Sequence, residues 1–175
     1  RPDPRLFALP AGICYSFIMA TKKYERKYGL PETIEDLKRH TILLRYTQNL
    51  GYSNKLENGT ETYYIDRGHR VQHGDAAACR EMLLAGEGLA IDLTPGFVSD
   101  YLASGFVFPV LKGWHREPCH YHVYCRAGSQ DDKVLRELMA YVERGVFATF
   151  ANQWQFWYGK LWIPMPEGFV PQAKS

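Results

Sequence analysis

Long apolar runs are missing from this 175-residue sequence. A membrane-spanning helix needs about 18–20 consecutive apolar residues. The longest candidate, Ala11 to Ala20, is about half that and is interrupted by Cys14, Tyr15 and Ser16, so no span is expected. A charge bias is missing too: 21 Lys and Arg face 19 Asp and Glu, a formal net charge of +2. That balance gives this stretch no electrostatic reason to grip phosphate backbones by itself. Cysteine is sparse and scattered, at 14, 79, 119 and 125. This excludes a disulfide scaffold and fits reduced thiols in a cytosolic protein. The chain begins Arg1-Pro2-Asp3-Pro4, with no methionine and no basic flank leading into an apolar segment; the expectation is a trimmed start or an internal fragment. No internal repeat is visible. What remains, 46% hydrophobic and 23% charged residues, excludes collagen-like, coiled-coil and wholly disordered chains. It describes one globular domain, or one and a fragment, able to bury a core.

Helix and strand signals alternate along the chain. Ile13 to Met19 is a short apolar run typical of a buried strand. Thr21 is placed to cap a helix over Lys22 to Tyr28, which Gly29 stops before Pro31. Pro31 to Leu37 predicts a short helix, and Thr41 to Arg45 a second strand. Tyr46 to Gly59, rich in Asn, Gly, Ser and Tyr, reads as loop, where binding groups tend to sit. Asn58-Gly59-Thr60 matches a glycosylation sequon, but Leu56 before it and Thr62 to Ile65 after it make a hairpin turn the simpler reading. Weaker strands follow at Glu61 to Ile65 and His69 to His73. Asp75 caps a helix of strong helix formers from Ala76, closed by Gly86 and Gly88, and Leu89 to Leu93 is a strand. Thr94-Pro95 restarts a helix that Gly105 ends; Phe106 to Leu111 and His120 to Arg126 are strands. A last helix, about Asp131 to Arg144, carries Val134, Leu138, Tyr141 and Val142 on one face. The alternation predicts an α/β fold with a largely parallel sheet. Beyond it, Phe147, Phe150, Trp154, Trp157 and Leu161 recur at helical spacing, as a helix docked on the core or as an aromatic contact surface for a partner.

Few residue groups suggest chemistry. Gly86-Glu87-Gly88 lies at a helix-to-strand junction, whereas a dinucleotide cradle needs strand, glycines, then a helix N-terminus. Cys119, His120, His122 and Cys125 would alternate faces of a strand and so would not converge on one tetrahedral ion. His69 and His73 are spaced roughly 13 Å apart along a strand, too far for one metal. No nucleophile elbow is present. The carboxylate pairs Glu35-Asp36 and Asp131-Asp132 open helices, where the helix dipole favours them. Lys22, Lys23, Arg26 and Lys27 form a cationic helix face, solvated by default. No catalytic residue, metal site or cofactor is assigned. Asp92 differs: it interrupts an apolar strand just before a turn, at the edge where open α/β sheets bind ligands. A carboxylate there needs partners, as a structural cap or as a ligand contact.

In order, these segments resemble the effector-binding domain of LysR-type transcriptional regulators. Ala20 to Pro31 resembles the family's Ala-Ser-Pro-x-Tyr-Leu-x-x-x-Gly-x-Pro, and Glu35 to His40 its Glu-Asp-Leu-x-x-His. Gly74-Asp75-Ala76 through Ala85-Gly86-Glu87-Gly88-Leu89-Ala90 resembles its Asn-Asp…Ala-Gly-x-Gly-Ile-Ala. Leu102 to Leu111, Tyr121 to Tyr124 and Lys133 to Leu138 fit the segments that close the domain. The similarity covers roughly residues 5 to 145. Lys22 stands where the family has proline, Asp92 and Thr94 lie in a segment usually more apolar, and the aromatic tail is longer than usual.

The resemblance implies an α/β fold of the periplasmic-binding-protein-like type 2 kind: a complete second subdomain (1–115), a returning strand and helix of a partial first subdomain (116–146), and the aromatic tail (147–175). It implies a small effector held between subdomains, no enzymatic activity, a cytoplasmic location and a homo-oligomer. DNA would be contacted only through an N-terminal helix-turn-helix that is not in this sequence. Carried over by position, Arg45, Tyr46 and Thr47 correspond to second-subdomain effector contacts, with Asp75, Asp92 and Thr94 as lesser candidates. Arg45 suits bidentate pairing with a carboxylate, which points to an organic anion, and equally suits a surface position ending a strand. The rival readings are a solute-binding protein of a transporter, which shares the fold, and an enzyme on the same scaffold.

Overall fold

The computed structural model describes residues 3, 5–46, 54–153, 157–161 and 163, the side chains of 150–153 excepted. In chain order the strands are β1 (Leu6–Cys14), β2 (Met19–Thr21), β3 (Thr41–Arg45), β4 (Lys55–Glu57), β5 (Thr62–Tyr64), β6 (Arg70–Gly74), β7 (Leu89–Ala90), β8 (Val107–Pro109), β9 (His115–Arg116) and β10 (Cys119–Arg126). The α-helices are α1 (Lys22–Tyr28), α2 (Ala76–Ala85), α3 (Ser99–Ala103) and α4 (Lys133–Gln153). They fall into two compact units. Among the described residues, one holds those of Arg1–Cys14 and Pro118–Gly159, the other those of Tyr15–Glu117 and Lys160–Pro164.

In the first unit, β1 and β10 form an antiparallel two-stranded sheet running from Leu6 opposite Arg126 to Cys14 opposite Cys119. Residues up to Cys14 therefore stand with the returning strand and helix, not with the 15–117 stretch. The apolar run Ile13 to Met19 is correspondingly two strands, β1 and β2, because the chain passes from one unit to the other after Cys14. Helix α4 continues through positions 146 and 147 to Gln153, beyond the expected end at Arg144. Its packing face is also not the one expected. Val134, Leu138, Tyr141 and Val142 are exposed, and Met139 is the buried position among the described side chains of the helix. Further on, Tyr158 is fully buried, its hydroxyl 3.3 Å from Cys14 Sγ. Leu161 and Ile163 are buried as well, so these tail residues pack inward. Trp154 lies outside the described residues.

The second unit is a five-stranded sheet in the order β6-β3-β7-β2-β8, with a three-stranded sheet β5-β4-β9. Strand β3 is parallel to β6 and β7, but β2 is antiparallel to β7 and β8, so the sheet is mixed and not largely parallel. Alternation correctly implies parallel strands where a helix bridges them, as β6-α2-β7; it says nothing of β2, which inserts between β7 and β8 against their direction. Strand β7 is only two residues of the five expected. The Asn58 turn joins β4 to β5 as the hairpin expected, with Lys55–Glu57 a strand inside the stretch read as loop. The core is aliphatic and aromatic: Ile18, Tyr24, Leu37, Ile42, Leu44, Leu56, Leu89 and Ile91 are buried together, with Val110 and Trp114 beside them.

Local signals position the elements that matter. Thr21 Oγ1 accepts the Tyr24 N–H to start α1. Asp75 Oδ1 accepts the Ala78 N–H at 2.8 Å to start α2, and Gly86 ends it in the left-handed conformation at φ 74°. Asp75→Ala is expected to cost about 1 kcal/mol of stability, read by urea denaturation, because one of the first-turn N–H groups loses its acceptor. Gly88 has a different reason to be glycine: a Cβ there would meet the Leu43 side chain at 2.8 Å and the Thr41 carbonyl oxygen at 2.9 Å. The short helix expected over Pro31 to Leu37 is a 3-10 helix, shifted to Ile34–Arg39 behind the Thr33 cap. Thr94 precedes a three-residue 3-10 turn, Pro95–Phe97, and its hydroxyl makes no cap bond; the Thr94 carbonyl closes the turn by accepting the Phe97 N–H.

Candidate functional site

Strands β6, β3 and β7 are parallel, and their carboxyl ends meet at one edge of the sheet. Arg45 is the last residue of β3 and pairs in register with Gly74, the last residue of β6. Leu43 pairs with Ala90 of β7, and the Ile91 N–H donates to the Leu43 carbonyl, so extending the ladder by two places Asp92 beside Arg45. The Tyr46 N–H donates to the Gly74 carbonyl at 2.8 Å. Asp75 follows directly as the α2 cap. Sheet register alone therefore gathers Arg45, Tyr46, Asp75 and Asp92 at the strand edge where open α/β sheets place ligands. Thr94 is half-buried two positions beyond Asp92. Thr47 lies outside the described residues.

Asp92 is the centre of the arrangement. Its Oδ2 is 3.9 Å from Arg45 Nε and its Oδ1 is 3.8 Å from Arg116 Nε. All three side chains are largely buried, with exposures of 15% for Asp92, 19% for Arg45 and 8% for Arg116. Burial pushes the Asp92 carboxyl above the usual carboxylate range; the Arg116 and Arg45 guanidinium groups and the Arg45 backbone N–H pull it down, but less. The same surroundings, burial first and then the Asp92 charge, raise the Cys79 thiol of α2. Among the described residues, the Arg45 guanidinium makes no hydrogen bond; its ion pair with Asp92, at 3.9 Å, is longer than one. Tyr46 is 59% exposed beside it. Asp75, by contrast, is already engaged as a cap.

Sequence reasoning missed Arg116. The demand that a half-buried carboxylate find partners named none, because β9 joins the site through pairing with β4, where Arg116 lies opposite Leu56, and nothing local announces that. Other residues singled out in the sequence lie elsewhere. His69 bonds the Tyr63 hydroxyl through Nε2 and Asp66 Oδ1 through Nδ1, each at 2.8 Å. Along β10, Cys119, Val123 and Cys125 are half-buried while His120, His122 and Tyr124 are exposed, as is Tyr121, so the alternation expected of a strand holds from His122 onward. Among the described residues, no group of three or more His, Cys, Asp or Glu is placed to hold a metal ion. Surface cavities of about 450 Å³ beside Asp66, His69 and His73, and about 400 Å³ beside Lys23, Lys27 and Glu87, are lined by neither Arg45 nor Asp92. On the cationic face, Lys22 bonds Glu25 at 2.8 Å and lies over the Phe108 ring. No helix of the described residues is long and apolar enough to cross a membrane.

Solved structures share this architecture. The regulatory domain of AphB from Vibrio vulnificus matches with a TM-score of 0.66 and 22% identity, covering 80% of this chain and 70% of that one. The regulatory domain of CrgA, a LysR-type transcriptional regulator from Neisseria meningitidis, matches with a TM-score of 0.65 and 19% identity, covering 83% of this chain and 72% of that one. Full-length AphB, a virulence activator of Vibrio cholerae, matches with a TM-score of 0.67 and 20% identity over 83% of this chain but only 49% of its own. This chain thus spans about half of a full-length regulator. A comparison with curated proteins finds no match. The model of the LysR substrate binding domain matches residues 1–146. The fold is the mixed α/β, periplasmic-binding-protein-like type 2 fold of that domain, and the chain belongs to the family of effector-binding regulatory domains of LysR-type transcription regulators.

Proposed function

We propose that this chain senses a small organic anion, with Arg45, Tyr46 and Thr47 as the principal contacts and Asp75, Asp92 and Thr94 beside them. The observation that carries this reading is the Arg45 guanidinium, held at the carboxyl edge of three parallel strands with its hydrogen-bond donors unspent among the described residues. A planar guanidinium there matches a carboxylate in a two-bond fork, and the adjacent Tyr46 hydroxyl supplies a further donor. The mechanism is ligand-biased closure of the two subdomains around a cleft, which changes how copies of a homo-oligomer pack. DNA is contacted by a helix-turn-helix outside these residues, and the whole regulator works in the cytoplasm, without catalysis or a cofactor.

The test is a calorimetric screen of small organic anions against the 175-residue chain and against Arg45→Ala. Loss of a charge-assisted, two-bond contact is expected to weaken binding by about tenfold to a hundredfold. Binding that is unchanged in Arg45→Ala would remove the anion reading.

A further inference from the structure

An anion that binds Arg45 enters beside a carboxylate already there. Asp92 stands 3.9 Å from Arg45 Nε and 3.8 Å from Arg116 Nε, beyond hydrogen-bond reach of either atom, so it balances the two cations as a charge and not as a fixed fork. The space is poorly solvated: 15% of the Asp92 side chain and 8% of the Arg116 side chain are exposed. Two carboxylates side by side in such surroundings repel each other, which raises the affinity of the pair for one proton against the pull of the two guanidinium groups, and that proton belongs to the pair.

Resting on the anion reading above, we propose that Asp92 takes one proton from solvent when a carboxylate ligand binds Arg45, so that ligand and Asp92 share it between the two guanidinium groups. The charged and titratable groups facing Asp92 are Arg45 at the end of β3, Arg116 on β9 and Cys79 on α2, the last of which also feels the Asp75 cap. Burial already favours the neutral carboxyl of Asp92 despite both arginines, so the ligand completes a shift the fold has begun. The consequence is selectivity. A protonated Asp92 donates an O–H, which a carboxylate accepts well and a sulfonate, with its charge spread over three weakly basic oxygens, accepts poorly. Asp92 is thus the residue that makes the site one for weak organic acids, each bound together with a proton.

The experiment follows the Asp92 side-chain carboxyl by carbon NMR and the Arg45 guanidinium by nitrogen NMR, in the chain labelled with ¹³C-aspartate and ¹⁵N-arginine, across pH, alone and with saturating acetate or methanesulfonate. Asp92 is recognised as an aspartate titrating above the usual range, where Asp3, Asp36 and Asp66 titrate below it, and by its loss in Asp92→Asn. Acetate is expected to raise the Asp92 midpoint by about one pH unit, which corresponds to about tenfold tighter acetate binding on acidification through that window. Methanesulfonate is expected to leave the midpoint in place. Acetate that perturbs the Arg45 side-chain signal but not the Asp92 midpoint would overturn the shared proton and leave the anion reading standing. Acetate that perturbs neither would remove the anion reading itself. An equal midpoint shift with methanesulfonate would overturn the selectivity.

Discussion

Tyr24→Ala is expected to destabilise the 15–117 unit by about 3–5 kcal/mol, the cost of emptying an aromatic site in a packed core, and to lower the melting temperature by at least about 10 °C. Tyr24 is the buried residue of α1, a helix of seven residues with four basic side chains, so nothing else on the helix face substitutes for it. It packs at 1% exposure among Ile18, Leu37 and Leu44. Its hydroxyl lies 2.8 Å from His40 Nδ1, the two sharing one buried hydrogen bond. Tyr24→Phe keeps the packing and removes the hydroxyl, leaving His40 Nδ1 without that buried partner, for about 1 kcal/mol. Burial also holds the His40 ring below the usual histidine range, against the Asp36 carboxylate, which raises it, and with Arg39 and Arg70, which lower it further. The unfolded chain then binds more protons than the folded one between the folded value and about 6.5. Stability is full above about pH 6.5 and falls as the pH drops from there through the folded value. Denaturation midpoints measured from pH 7.5 to pH 5 should show that decline, and His40→Gln should flatten it. A decline unchanged in His40→Gln would assign the effect to another group.

Much of the fold is legible because its signals are local. Thr21, Gly29, Asp75 and Gly86 mark helix ends through bonds reaching no more than a few residues, and the structure has those ends where the sequence puts them. The Asn58 turn is of the same kind. What the sequence hides is long-range. Strand β2 runs against its neighbours because of where it inserts, not because of its own residues. The α4 stripe of Val134, Leu138, Tyr141 and Val142 has the periodicity of a packing face, yet the helix seats the Met139 side instead. Periodicity reports which residues share a face and not which face is covered. The candidate site divides in the same way. Arg45, Tyr46, Asp75 and Asp92 come together because strand ends and a helix cap are readable and register aligns them. Arg116 arrives through the β4–β9 ladder, some two dozen residues along the chain from Asp92, and only the unmet need of a buried carboxylate hinted at such a partner.

That late-arriving arginine also makes a sharp prediction. Arg116→Met keeps the apolar stem packed and removes the cation, and it is expected to lower stability at neutral pH by about 3 kcal/mol, because Asp92 is left with Arg45 alone in a site that is hard to solvate. The pH dependence separates this from simple loss of packing. Arg116 is the stronger of the two guanidinium influences holding Asp92 down, so without it the folded carboxyl rises further above its unfolded value. Between those two values the folded variant binds more protons than the unfolded chain, so its stability rises as the pH falls and is lost as the pH climbs through the folded value. The deficit relative to the parent chain should therefore be largest near pH 7 and should shrink on acidification toward pH 4, as Asp92 becomes a neutral acid that no longer needs a second cation. Adding Asp92→Asn to Arg116→Met should abolish that pH dependence, because the group that titrates is gone. A deficit of the same size at pH 4 and pH 7 would mean that Arg116 contributes through its stem and its other contacts, not through its charge on Asp92.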